Sequence, residues 1–180
     1  MTLRDIFRDM SHKKKTSEVK ETIKKLNEFT ESVKENTRVV YAKSLNSGTL
    51  IYLKIPSSKK NIDYDIAFWF GTQTKIGLDV PVKVYCNTPN FGYTYAYVFN
   101  LSNGLLFPTY YPKEFTEIEP KTKNPTLKKG FDKYVYASLK HLADKNLNDY
   151  ITQFKEQVEP KVVKFVDRMK DEPVAVQTTE

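Results

Sequence analysis

Asp63-Tyr64-Asp65-Ile66-Ala67-Phe68-Trp69-Phe70 alternates at every step. A strand turns successive side chains to opposite sides. Tyr64, Ile66, Phe68 and Phe70 therefore share one face, and Asp63, Asp65, Ala67 and Trp69 share the other. After a polar loop with two glycines, Val80, Val82, Val84 and Cys86 repeat the pattern. Upstream, residues 37–45 and 49–55 are rich in Val, Ile, Tyr and Thr and flank Asn46-Ser47-Gly48. Two such runs around a short turn predict a hairpin. Strands joined by short turns, with no crossover helix between them, predict an antiparallel meander.

Phe91-Gly92-Tyr93-Thr94-Tyr95-Ala96-Tyr97-Val98-Phe99 follows a turn signal at Asn87-Thr88-Pro89-Asn90 and predicts one further strand, about the fifth. In that reading five aromatic side chains form one row, backed by Gly92, Thr94, Ala96 and Val98. An exposed aromatic row stacks nucleic-acid bases. A buried row gains on the order of 1.5–3 kcal/mol for each side chain removed from water, which favours the core reading.

Both ends of the chain read as helix. Leu3, Ile6, Phe7 and Met10 recur at i, i+3, i+4 and i+7. Lys13, Lys14 and Lys15 interrupt, and Val19, Ile23, Leu26, Phe29 (or Thr30) and Val33 resume the spacing, with Ser17 as the expected N-cap. Because the first four apolar residues stand apart at a terminus, they are a candidate interaction face for a partner chain. Residues 104–125 are irregular and proline-rich. Helical spacing returns over 127–142, 147–158 and 160–169, and 171–180 reads as a disordered tail. The organisation expected is a helical arm at 1–35, an α+β domain at 36–170 and that tail: an antiparallel sheet packed by N-terminal and C-terminal helices.

The 180 residues include one Cys and two His, which excludes an intramolecular disulfide and any Cys/His zinc site of standard spacing. No run approaches the length of a membrane helix, and none has the flanks of a signal peptide. The net charge of +7 attracts polyanions. It is spread along the chain, however, and the densest loop carries Lys121, Lys123, Lys128 and Lys129, the candidate polyanion-binding residues. Asp63 and Asp65 share a face, yet no third ligand-type residue lies near them in sequence. Cys86 alternates with valines and reads as a buried apolar residue, not a nucleophile. His12 reads as solvated, and His141 as a surface or boundary residue. No nucleotide-loop, nucleophile-elbow or zinc-protease motif occurs. No catalytic residue, metal or cofactor is expected, and the chain reads as non-enzymatic.

Tyr64-Asp65-Ile66, the run from Val82 to Phe91 and the run from Thr94 to Phe99 carry a resemblance, together with Asn124-Pro125 and the run from Gly130 to Tyr136. Over about residues 37–145 the chain resembles small virion-associated proteins of bacteriophages of Gram-positive hosts. The resemblance implies a structural or assembly role and supplies no site residues. Expected partners are other phage structural proteins or further copies of the chain, with nucleic acid as a second class and no membrane. The implied location is the host cytoplasm during assembly, then the virion. A basic nucleic-acid-binding accessory protein and an inhibitor of a host defence system are the alternative readings.

Overall fold

The structure, a computed structural model, describes residues 1–45, 47–57, 61–71 and 77–143. The expected helices at 147–158 and 160–169 and the expected tail lie outside the described residues. The fold is α+β. Helices α1 (Leu3–Ser11) and α2 (Thr16–Val33) precede four strands: β1 (Arg38–Leu45), β2 (Gly48–Pro56), β3 (Asp63–Phe70) and β4 (Val82–Cys86). The strands pair antiparallel in chain order, β1-β2-β3-β4. The helical segments α3 (Pro89–Phe91), α4 (Tyr97–Leu101), α5 (Lys113–Thr116) and α6 (Lys133–Ala143) follow. Among the described residues, no helix is long and apolar enough to cross a membrane.

The alternation read from the sequence sets the two faces of the sheet. Ile51, Leu53 and Ile55 on β2, Ile66, Phe68 and Phe70 on β3, and Val82, Val84 and Cys86 on β4 are buried in the main core. Tyr41, Leu50, Tyr52, Ala67 and Trp69 form a second cluster on the opposite face, under Leu106 and Phe107. A bulge between Val39 and Tyr41 keeps both Val39 and Ala42 in the main core although they are three residues apart. At the hairpin Leu45 pairs with Gly48. Gly48 has φ 156°, and a Cβ there would overlap the Phe70 carbonyl oxygen and the Trp69 ring. Only glycine lets β3 approach this closely.

The fifth strand does not form. Residues 89–101 are one continuous helical rod, α3 and α4 joined by a π-helical turn at Gly92–Ala96. Thr88 is its N-cap, its hydroxyl accepting from the Phe91 N–H at 3.2 Å, and Pro89 occupies the first turn. What reads as a turn signal is thus a helix start. The aromatic row is real but its period is four. Phe91 and Phe99 are fully buried, with ring centroids 5.3 Å apart, and Tyr95 packs beside them. Gly92 meets the Phe115 ring, where a Cβ would lie 2.7 Å from Cδ2.

The outer edge of β4 is closed by other segments. The Val82 N–H donates to the Met1 carbonyl at 3.0 Å, and Thr2 bridges Pro81. The Val84 N–H donates to Gly104 O, and the Leu106 N–H donates to Val84 O, both at 2.9 Å. The Tyr111 hydroxyl accepts from the Cys86 N–H at 2.8 Å and donates to the Cys86 carbonyl at 2.9 Å.

The candidate interaction face of α1 is corrected by its burial. Leu3, Ile6 and Met10 belong to the main core, and Phe7 packs against it with its ring 4.7 Å from Phe131. Three features seat the helix. Thr2 and Asp5 form a capping box. The Arg4 N–H donates to Leu78 O at 2.8 Å, and the Arg4 side chain pairs with Asp79. The N-cap of α2 is Lys15, not Ser17, and carries no side-chain cap. At the other end, α6 begins at Lys133 rather than near Leu127, because Leu127 is left-handed (φ 49°) and Asp132 caps the helix through the Tyr134 N–H at 2.9 Å. α6 lies along α2, with the Tyr134 ring 4.9 Å from Phe29 and the Tyr136 hydroxyl donating to Asn27 at 2.9 Å.

Two substitutions test this packing by chemical denaturation. Ile6→Ala removes a fully buried side chain and should destabilise by about 2–5 kcal/mol. A loss under about 0.5 kcal/mol would mean that α1 is peripheral. Gly48→Ala should cost about 1–3 kcal/mol or more through overpacking against Trp69.

Candidate functional site

The residues with the most reactive chemistry are committed to holding the chain together. Cys86 is fully buried, its sulfur 3.2 Å from the Thr88 hydroxyl. Burial pushes its thiol well above the ordinary range, and the nearby Asp132 adds to the rise. Burial likewise keeps Tyr111 protonated, so its hydroxyl stays a donor to the Cys86 carbonyl. Asp132 is buried, accepting from Asn90 at 2.8 Å and capping α6. Tyr85 is pushed up to about 12, chiefly by desolvation and then by Asp65.

Asp63 and Asp65 are engaged separately. Asp63 pairs with Arg38 at 3.0 Å. Asp65 accepts from the Tyr52 hydroxyl and, at 3.2 Å, from Asn87. Among the described residues, no three His, Cys, Asp or Glu side chains gather as a metal site requires.

The four loop lysines divide into two pairs. Asn124 organises their loop: it is buried, its amide donates to Thr94 O at 3.0 Å and Lys128 O at 2.8 Å, and its oxygen accepts from the Lys128 N–H at 3.0 Å. That clamp turns Lys128 and Lys129 toward α1. The Lys128 amine donates to the His12 carbonyl at 3.0 Å, and Lys129 pairs with Asp9 at 3.3 Å. Lys121 and Lys123 remain exposed.

Those two lysines border a surface that the strand reading of 91–99 hides. Tyr93, Tyr97 and Leu101 stand four apart on the outer side of the helical rod. Tyr93 is 58% exposed, Leu101 65% and Ile118 60%, among the most exposed large apolar residues of the described chain. α5 packs against this side of the rod: the Phe115 ring lies 4.4 Å from Tyr93, and Asn100 donates to Thr116 O at 3.3 Å. A shallow groove of about 190 Å³ runs between Tyr93, Phe115, Ile118 and Lys123. Its rim is electrically balanced. Lys113, Lys121 and Lys123 stand against Glu114, Glu117 and Glu119, so residues 113–123 carry no net charge. Helical spacing applied to 91–101 is the signal that would have found this face.

No family model matches the chain, and neither does any curated protein or solved structure.

The committed state of Cys86 has a direct check. A thiol whose folded-state pKa is raised stays protonated at pH 8, near the ordinary value of about 8.5. Alkylation by iodoacetamide at that pH should be slow in native protein and fast in denaturant. Rapid labelling of the native state would show that Cys86 is accessible as a nucleophile.

Proposed function

We propose that the protein is a non-enzymatic binding protein that docks a protein partner on the Tyr93–Leu101–Ile118 face. The observation that carries this reading is the character of that surface: exposed apolar and aromatic side chains within a rim of both charge signs. Protein–protein interfaces have this anatomy, an apolar centre inside a polar margin. A phosphate backbone calls instead for an excess of cations, and the three glutamates cancel the three lysines here.

The partner belongs, on this reading, to a bacteriophage particle: another virion subunit, met in the host cytoplasm during assembly. The support is the resemblance over about residues 37–145 to virion-associated phage proteins. Nothing in this role asks for bond-making chemistry, and Cys86, Tyr111 and Asp132 have structural duties that suit it.

The test is incorporation. The wild-type chain should be present at stoichiometric copy number in purified particles of the phage that encodes it. Leu101→Asp and Ile118→Asp place a charge where a partner buries an apolar side chain, so each should lower incorporation by about tenfold or more. Thermal stability should change little, because both sites are exposed. Absence of the wild-type protein from particles would overturn the virion reading, and full incorporation of both variants would overturn the assigned face.

A further inference from the structure

The fold assembles a second charged surface from segments far apart in sequence. Where α1 turns into α2, the chain reads His12-Lys13-Lys14-Lys15, and all four residues are exposed. The Lys128 amine is delivered to this turn by its bond to the His12 carbonyl, across a separation of 116 residues. Four lysines thus meet at one corner. Acids of α1 and α2 flank it along the chain. Asp5 and Asp9 are neutralised locally, Asp5 by Arg8 at 3.1 Å and Asp9 by Lys129 at 3.3 Å. Glu18, in the first turn of α2, is the next acid along the chain. Lys13, Lys14, Lys15 and Lys128 make no ion pair among the described residues, and with Glu18 they leave a net charge of +3.

Structural needs account for little of this. Lys128 does help α1, since a cation belongs at a helix C-terminus. Lys13, directly after the α1 C-cap His12, shares that benefit, whereas Lys14 and Lys15 do not. Lys15 occupies the N-cap of α2 and Lys14 precedes it, where positive charge is mildly unfavourable for the helix. Lys13 is left-handed at φ 60°, a conformation that a glycine would adopt at lower cost. The turn is also fixed in shape, with the Lys14 N–H on Ser11 O at 3.2 Å. The arrangement therefore holds like charges on a defined backbone next to a fourth amine, that of Lys128, which is itself anchored. That is an electrostatic surface suited to a row of phosphates.

We propose that the α1–α2 corner, formed by Lys13, Lys14, Lys15 and Lys128, binds the phosphate backbone of nucleic acid. The site is separate from the balanced Tyr93–Leu101–Ile118 face, so either assignment can fail without the other. It moves the polyanion-binding role away from Lys121 and Lys123. Its contacts are to phosphates, so it carries no preference for base sequence.

The experiment is fluorescence anisotropy of the full chain with a labelled DNA duplex of about 20 base pairs, titrated across about 50–200 mM salt. The wild type should bind with a clear salt dependence. The triple variant K13Q/K14Q/K15Q should bind at least about tenfold more weakly at the low-salt end, and its slope of log K against log salt should be shallower by about 2–3, close to one per lost phosphate contact. Its melting temperature should match the wild type, because all three side chains are exposed. The double variant K121Q/K123Q should stay within about twofold of wild type. Absence of wild-type binding at low salt would overturn the proposal, and so would an unchanged slope in the triple variant or a loss carried by K121Q/K123Q. Equal competition by polyglutamate at matched charge would also overturn it, in favour of an acidic protein segment.

Discussion

The outer edge of β4 is the constraint on which the rest of the fold depends. A sheet edge left bare presents unpaired N–H and C=O groups. Here two distant pieces of chain satisfy them at three points: Met1 and Thr2 at one end, then Gly104 and Leu106 in the middle and the Tyr111 hydroxyl at Cys86, both from one strap. Closing the edge this way fixes Met1 and Thr2 beside the sheet, which sets α1 over the main core. It also fixes the strap 104–111, which lays Leu106 and Phe107 over the second face. Residues between β4 and the strap must then leave the sheet and return. The helical rod 89–101 is that excursion.

The sheet was legible because strand periodicity is unambiguous where both faces differ in detail. Ile66, Phe68 and Phe70 fall on the face their alternation assigns, as do Val82, Val84 and Cys86. The antiparallel order followed from the short connections. The rod was misread for a reason internal to its pattern. Aromatics at every second position are also aromatics at every fourth, and Phe91, Tyr95 and Phe99 satisfy helix and strand alike. Two local signals favoured the helix: Thr88 followed by proline is an N-cap with a first-turn proline. β-propensity of tyrosine and phenylalanine pointed the other way, and the occupied β4 edge overrode it.

The two proposed surfaces were less legible, because each depends on distance in space. Lys121, Lys123, Lys128 and Lys129 are neighbours in sequence, but the Asn124 clamp sends them in two directions. Lys128 joins Lys13, Lys14 and Lys15, a juxtaposition that composition alone does not contain. The separated apolar face of α1 had suggested docking on a partner; its helical phase was right, and its occupant is the chain's own core. The outward residues Tyr93 and Leu101 became visible only once the rod was a helix.

The bond from Val82 to Met1 also orders events during synthesis. Residues 1 and 2 leave the ribosome some 80 residues ahead of their partners at 81 and 82. At about 5–20 residues per second, α1 waits on the order of ten seconds with its apolar stripe uncovered. The strap that finishes the same edge arrives later still, with Gly104, Leu106 and Tyr111. The nascent chain can pair β1, β2 and β3 from local contacts, but it completes its core only by a long loop closure that joins residues 1 and 2 to 81 and 82. A chain built this way favours folding after its sheet has emerged, with α1 finding its place in the core only after β4.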